Sequence, residues 1–329
     1  MPKNIKIVGK IISMDISAII TTYNRDTVVV DAIKSVFSQS IAPKELLIID
    51  DGSTDNTEES VRAIISDAPF PTFYFKKKNG GMASSLNYGI RKAAGAWVAF
   101  LDDDDLWGSS HLERIGELYI NHPELRCIAG LREKSGVTES PPHHLLSEYG
   151  ISKLDSDLRI LSQKPLSKPF FTPVVGTAVV LRSIFDHIAF EAVAGARLDI
   201  HFFWRLSELT SIGLDMRAHG TARQYRTSLL STDADAPNDI KERIALRRNA
   251  DEISMLNDLI RSRDKEQMIT FERMLQDARA GRSFLLRSHG RFGDAFRHAL
   301  SCFGSISTAT LIKECVLSAL RLRPDAPSS

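Results

Sequence analysis

Ala96-Trp97-Val98-Ala99-Phe100-Leu101 runs without a spacer into Asp102-Asp103-Asp104-Asp105. An unbroken apolar run of this length predicts a strand covered on both faces. In open parallel sheets, ligands bind beyond the carboxyl ends of the strands. Four adjacent carboxylates repel one another unless a cation or hydrogen bonds offset the charge. Hard divalent cations such as Mg²⁺ take oxygen ligands and share them with substrate phosphates. Alternate positions point to one side, so Asp102 and Asp104 can act together. The same acids also describe a turn capping a helix predicted over Trp107–Tyr119.

Upstream, the chain alternates in the same way. Strands are predicted at Asp15–Thr22, Glu45–Ile49 and Thr72–Phe75, and helices at Thr27–Gln39, Thr54–Ser66 and Met82–Ala94. Strand–helix alternation predicts an α/β fold with a mostly parallel sheet flanked by helices. Three strands end in polar clusters: Thr21-Thr22-Tyr23-Asn24, Asp50-Asp51-Gly52-Ser53 and Asp102–Asp105. Asp50-Asp51-Gly52-Ser53 also describes a tight turn with a helix cap at Ser53 or Thr54. Residues 108–238 are less regular and contain a second apolar run, Val174–Leu181. From Ile240 onward the pattern is helical and rich in arginine.

The chain has 329 residues, 42 basic against 41 acidic, with 43% hydrophobic residues. That composition predicts a globular protein and excludes global disorder. A net charge of +1 excludes a whole-protein basic field for nucleic acid. Cys127, Cys302 and Cys315 lie far apart, with no metal-type spacing and no disulfide framework, as expected in a reducing compartment. No run reaches the roughly 18 apolar residues of a membrane span. Residues 1–13 lack the pattern of a secretory leader and are expected to be an extension that contributes little to the fold.

Taken together, Ile19-Ile20-Thr21-Thr22-Tyr23-Asn24-Arg25, Ile49-Asp50-Asp51-Gly52-Ser53-Thr54-Asp55, Asn79-Gly80-Gly81 leading to Asn87-Tyr88-Gly89, and Phe100–Asp105 resemble the family 2 glycosyltransferases in order and spacing. The resemblance implies a GT-A-type fold: a mostly parallel mixed sheet flanked by helices, here with a C-terminal helical extension. It implies a nucleotide-sugar-binding half at 14–107, an acceptor-binding half at 108–238 and a basic helical region at 239–329.

It also implies roles. Thr21, Tyr23 and Asn24 contact the nucleoside, with Tyr23 stacking on the base. Asp51 accepts from the N–H edge of the base. A carboxylate accepts but does not donate, which suits uracil or thymine better than cytosine, and guanine remains open. Gly80 and Gly81 let the backbone approach the donor at a helix N-terminus, with Lys76, Lys77 and Lys78 nearby. Asn87, Asp102 and Asp103 join the donor site. Asp104, supported by Asp105, is the implied ligand of Mg²⁺ or Mn²⁺. Many relatives have arginine where Leu86 stands.

In the second half, Leu198-Asp199-Ile200-His201-Phe202-Phe203-Trp204-Arg205-Leu206 resembles the family's acidic motif before an aromatic helix, and Asp199 is the implied general base. Family members usually have Glu where Leu198 stands. Asp199 also fits as the N-cap of the helix, and Phe203 and Trp204 as an acceptor platform or core. Ser228 replaces the metal-binding His of many relatives, and His219 is the nearest substitute. His143 and His144 fall in a loop, and Glu133–Pro173 is expected to shape the acceptor pocket.

From Gly281 to Arg323, seven basic residues stand against Asp294 and Glu314, interleaved with apolar ones. Such helices either lie on anionic membranes or pack as a cap or oligomer contact. The expectation is an inverting, metal-dependent enzyme that moves one sugar from a nucleotide-diphosphate donor to a glycan or lipid-linked glycan. The setting would be bacterial surface polysaccharide synthesis, in the cytoplasm or on the inner face of its membrane. Oligomeric state stays open. A sugar nucleotidyltransferase would need a Gly-rich, Arg-containing loop after the first strand, which Ile20–Arg25 lacks. A non-catalytic nucleotide-sugar-binding scaffold remains the rival, because Leu86, Leu198 and Ser228 depart from the family pattern.

Overall fold

A computed structural model describes residues 5–8, 11–134, 137–138, 151–154, 158–161, 173–223, 238–261, 265–302 and 308–319. The chain divides into two compact units. The first is Met1–Lys164, Phe170–Ala192 and Leu198–Ser228; the second is Pro165–Pro169, Val193–Arg197 and Leu229–Ser329.

The first unit is built on a mixed sheet. Strands β3 (Ile16–Thr22) and β4 (Glu45–Asp50) are buried along their whole length. Both read as continuous apolar runs because helices cover both faces. Helix α1 (Val28–Phe37) buries Val28, Val29, Ala32, Ile33 and Val36 on one face. Helix α2 (Thr57–Ile65) lies between β4 and β5 (Thr72–Lys76), and α3 (Met82–Lys92) between β5 and β6 (Trp97–Asp102). Strands β5, β4, β3 and β6 are neighbours in that order and parallel.

Beyond β6 the directions mix. Strand β12 (Ala178–Leu181) runs antiparallel between β6 and β8 (Cys127–Lys134). Strand β13 (Ile212–Ala222) runs parallel to β8, and the short β7 (Asp105–Trp107) pairs antiparallel with its end. Trp107 therefore belongs to a strand, and helix α4 begins later, at His111–Asn121. The Trp107 backbone N–H donates to Ser35 Oγ (3.2 Å) and the indole Nε1 to the Gly176 carbonyl (2.8 Å), so backbone and ring are both tied outside a helix. Strands β1 (Ile5–Val8) and β2 (Ile11–Met14) form a two-stranded antiparallel hairpin; β9 (Val137–Thr138) pairs with β8, and β11 (Leu158–Leu161) and then β10 (Ile151–Lys153) extend the sheet beyond β13.

A buried polar chain braces β13 against α4. Arg114 Nε donates to Asp215 Oδ2 (2.7 Å), which also faces His219 Nε2 (3.0 Å). His219 Nδ1 and His111 Nδ1 are 2.8 Å apart, so one proton lies between them. Burial, then the neighbouring His219, holds His111 well below the usual histidine range, and it is neutral. Burial raises Asp215, but hydrogen bonds from His219 and Arg114 outweigh it and leave its carboxyl below the ordinary value.

Gly130 of β8 leaves no room for a side chain, because a Cβ there would sit 2.1 Å from the His219 ring. His219 is tied at both nitrogens and cannot step aside. Gly130→Ala is therefore expected to destabilise the protein by about 3 kcal/mol, the upper end of ordinary overpacking. A thermal melt should show Tm falling by roughly 6–12 °C for a unit of this size. An unchanged Tm would contradict the packing described.

The second unit is helical: α6 (Asn238–Arg261), α7 (Lys265–Ser288), α8 (Phe292–Ser301) and α9 (Thr308–Ala319). Leu256, Leu259, Ala295 and Ala299 are buried in it, and a buried Arg287–Glu314 ion pair links α7 to α9. Among the described residues, no helix is long and apolar enough to cross a membrane.

Candidate active site

Register brings the polar strand ends to one rim of the sheet. Thr22 is paired with Asp50 across β3 and β4, and Thr21 with Asp102 across β3 and β6. Asp105 is paired with Ala222 across β7 and β13. The clusters separated in sequence thus stand side by side.

At the β3 tip, Thr21 and Thr22 are buried, while Tyr23 is 46% exposed, with its ring open to a stacking partner. Asn24 takes a left-handed conformation (φ 52°). Its backbone N–H donates to Ser53 Oγ (2.9 Å), and its side-chain oxygen accepts from Thr54 N–H (2.7 Å). Asn24 thereby joins the β3 and β4 tips.

The two acids after β4 do different work. Asp50 is fully buried and accepts from Ser53 N–H (2.7 Å) and from the Tyr74 hydroxyl, so it is structural. Asp51, 5% exposed, accepts from Gly80 N–H (3.0 Å) on Oδ1, from Gly81 N–H (2.7 Å) on Oδ2, and from Lys77 Nζ. A carboxylate has about four lone-pair sites. Three are occupied, which leaves Asp51 room for one further N–H donor. Gly52 adopts φ 84°, and a Cβ there would meet the Lys77 carbonyl at 3.0 Å and the Asn79 backbone N at 3.1 Å. The turn that aims Asp51 at the 77–81 loop therefore needs glycine.

The acidic run and Asp199 share one electrostatic environment. Burial, then repulsion from Asp105, Asp199, Asp104 and Asp103, pushes the Asp102 carboxyl well above the ordinary range. Burial, opposed by Arg25, pushes Asp103 up to about 6. Burial, opposed by Arg132, likewise pushes Asp105 up to about 6. Asp199, in the first turn of α5 (Leu198–Leu209), is also pushed up to about 6. Burial is the main cause, opposed by Arg132 and by a hydrogen bond from the Val175 N–H. Trp107 holds the adjacent Gly176, so the packing that seats the indole also seats the backbone donor to Asp199.

Three arginines reach this cluster. Arg25 Nη1 lies 3.3 Å from Asp104 and 3.8 Å from Asp103. Arg132 Nη1 lies 3.2 Å from Asp105. Arg223 Nε donates to the Asp104 carbonyl (3.2 Å) and its Nη1 to Asp31 (2.7 Å). Arg25 is visible in the first motif. Arg132 and Arg223 are not visible in this way, since an isolated arginine in a strand or at its end carries no pattern.

Other expected residues have structural surroundings. The Asn87 side chain is bonded both ways to the Phe190 backbone (2.8 and 3.0 Å), which links α3 to the segment before α5. Phe203 and Trp204 are buried, so they are core and not an acceptor platform. His219 has both ring nitrogens engaged within the buried chain and does not substitute as a metal ligand. Leu86 is buried in α3. His143, His144 and Tyr225–Ser228 lie outside the described residues, as does most of Glu133–Pro173.

Among the described residues, no three His, Cys, Asp or Glu side chains are placed to hold a metal unaided. The donor set still fits a hard divalent ion. It is all carboxylate, and mutual repulsion raises Asp102 in a way that added positive charge relieves. The protein would supply only part of the coordination sphere, as is usual where substrate phosphates complete it.

The profile described as Glycosyl transferase family 2 matches residues 17–189. An uncharacterized glycosyltransferase of Rickettsia conorii is 46% identical over 98 residues, covering 30% of this chain and 16% of that protein. The minor teichoic acid biosynthesis protein GgaB of Bacillus subtilis is 30% identical over 159 residues, covering 42% of this chain and 18% of that protein. The matched stretch thus spans less than a fifth of either relative. S. aureus TarS in complex with UDP-GlcNAc shares the fold with TM-score 0.55 at 16% identity, over 93% of this chain and 90% of that one. A mannosyltransferase from Pyrobaculum calidifontis, in complex with GDP-Man and Mn²⁺, does so with TM-score 0.55 at 15% identity, over 93% and 80%.

Proposed function

Because the chain belongs to glycosyl transferase family 2, we propose that its rim of strand ends binds a nucleotide-diphosphate sugar and transfers the sugar with inversion. One observation carries this reading: the Val175 N–H bonds Asp199 while the next residue, Gly176, packs against the Asp102 carboxylate, where a Cβ would lie 3.4 Å from Asp102 Oδ2, and Asp102 pairs with Thr21 at the β3 tip. A nucleoside at Tyr23 and Asp51 would direct its diphosphate toward the acids. The remaining acceptor site on Asp51 favours a base with an N–H edge, which uracil, thymine and guanine offer and cytosine lacks, and a UDP-sugar is the donor proposed. Two of the structural neighbours carry UDP-GlcNAc and GDP-Man, which supports the donor class and leaves the nucleotide open.

Asp199 takes the proton of the acceptor hydroxyl as that oxygen attacks the anomeric carbon. A base with a raised pKa suits the task, because its proton affinity lies nearer the working pH. The Val175 N–H and Arg132 orient its carboxylate. Asp104, with Asp105, would hold Mg²⁺ or Mn²⁺, which when bound stabilises the charge on the leaving diphosphate. Arg25 lies 3.3 Å from Asp104, so a cation held there would compete with Arg25 for that carboxylate. No second carboxylate with a nucleophile's surroundings is assigned, which favours a single displacement.

The acceptor proposed is a glycan or lipid-linked glycan of the bacterial cell envelope, supported by the teichoic acid relative. Membrane contact through the C-terminal helices rests on less free charge than the sequence suggests. Arg287 is paired with Glu314, Arg291 with Asp294 and Glu242, and Arg297 with Asp294. Arg321 and Arg323 lie outside the described residues.

A thermal-shift screen of UDP-, GDP- and dTDP-sugars with and without Mn²⁺ tests the donor assignment. A ligand at about 100 times its Kd stabilises by about 2.7 kcal/mol. The expected result is a rise in Tm with one nucleotide class, larger with Mn²⁺. No rise with any donor would overturn the assignment. Donor binding without any hydrolysis or transfer would favour the scaffold reading.

A further inference from the structure

From residue 72 to residue 92 the chain carries Lys76, Lys77, Lys78, Arg91 and Lys92, and no Asp or Glu. This stretch forms the end of the sheet. Among the described residues, β5 pairs with β4 alone. Alternation sends Tyr74 and Lys76 toward α2, where Arg62 lies over the Tyr74 ring and Glu58 accepts from Lys76 (3.2 Å). The other face of β5 carries Phe73 and Phe75. Phe73 is 45% exposed, and Phe75 meets Tyr88 of α3 edge-on, with ring centres 6.2 Å apart. Lys92 Nζ lies 5.5 Å from the ring centres of both Phe75 and Tyr88, and Arg91 lies 5.9 Å from that of Tyr88.

Lys77 is taken up by Asp51 and Lys76 by Glu58. Lys78, Arg91 and Lys92 are exposed, with no carboxylate at ion-pair distance among the described residues. An exposed aromatic edge framed by uncompensated cations on long stems matches a surface that is apolar below and anionic above. Rings enter the headgroup boundary while lysine and arginine extend to the phosphates.

We propose that the β5–α3 edge, through Phe73, Phe75, Tyr88, Arg91 and Lys92, rests on an anionic lipid surface. The charge complementarity decides the occupant: a face with cations and no acid selects a negative partner, and the exposed phenyl ring selects one with an apolar interior. The contact is independent of the transfer chemistry. It places a membrane contact on the first unit.

Flotation of the full chain with vesicles tests this. The protein should co-float with phosphatidylcholine–phosphatidylglycerol vesicles and not with phosphatidylcholine alone. Binding should be lost between about 0.1 M and 1 M salt, as the Debye length shrinks from ~10 to ~3 Å. Each cation removed should lower partitioning about fivefold. Arg91→Gln with Lys92→Gln should therefore cost about 25-fold. Lys78→Gln and Phe73→Ser, both at exposed positions, should each lower it further, while Arg291→Gln with Arg297→Gln should leave it unchanged. Several results would overturn the proposal: no flotation, equal flotation with neutral vesicles, or wild-type binding by the β5–α3 variants. Displacement by soluble polyglutamate with no dependence on Phe73 would do so too, since it would identify an acidic polymer as the partner.

Discussion

Asp199→Asn is expected to lower the rate of sugar transfer about 10³-fold, within the range for loss of a general base, and to leave donor affinity unchanged. Asparagine keeps the size of the side chain and can still accept from the Val175 N–H, but it cannot take a proton from the acceptor. The pH profile adds a second signature. A carboxylate base works only when deprotonated, so the rate falls as pH drops through its pKa. Burial pushes Asp199 up to about 6 against Arg132 and the Val175 N–H. Wild-type kcat/KM should therefore fall on the acid side as Asp199 takes up its proton, and Asp103 and Asp105, also pushed up to about 6 by burial, steepen that limb. Asp199→Asn should lose the Asp199 part of this limb and leave a shallower one. If Asp199 only capped α5, the variant would lose stability and keep both rate and limb.

The second large effect is expected at Asp104. Asp104→Asn should remove most of the gain in donor affinity that Mn²⁺ provides, by about 100-fold, the upper end of what even outer partners of a metal site cost. The Arg25–Asp104 pair makes a control available. Should Asp104 serve only to hold Arg25, Arg25→Gln and Asp104→Asn would behave alike. On the metal reading they diverge: Arg25→Gln keeps the Mn²⁺ dependence, since it frees the carboxylate, while Asp104→Asn loses it. Isothermal titration of the donor with and without Mn²⁺ measures both.

The parallel half of the sheet was legible because three of its four strands, β3, β4 and β6, are buried on both faces. An apolar run as short as Leu46–Ile49, rich in isoleucine and leucine, fits a doubly covered strand, and Asp-Gly punctuates the turn after it. The acids were legible for a related reason, since four carboxylates after a buried strand repel one another unless something positive meets them. What the sequence concealed lies in the mixed half. Strand β13 contains Gly213, Asp215, His219 and Gly220, and its pairing with β8 is irregular between Asp215 and Gly220. That breaks the two-residue alternation by which a strand is recognised. Asp215 and His219 are tolerable inside it only because Arg114 and His111 complete their hydrogen bonds, and those partners come from α4, about a hundred residues earlier.

Trp107 shows the same limit at single-residue scale. Helical spacing places it in α4, whereas its indole N–H needs the Gly176 carbonyl and fixes it in β7. The site divides similarly. Residue types and order point to Asp51, the acidic run and Asp199. The groups that tune them, Arg132, Arg223 and the Val175 N–H, come from elements with no local signal and are visible only in three dimensions.

The central claim is that these acids and a sugar nucleotide share one divalent ion at the rim of the sheet. Anomalous diffraction at the manganese edge, from crystals grown with Mn²⁺ and a UDP-sugar, tests it most directly. A single strong peak is expected beside the Asp104 carboxylate and the donor phosphates, with the base over Tyr23. A peak away from Asp102–Asp105, or a donor bound at this rim with no metal peak beside its phosphates, would contradict it.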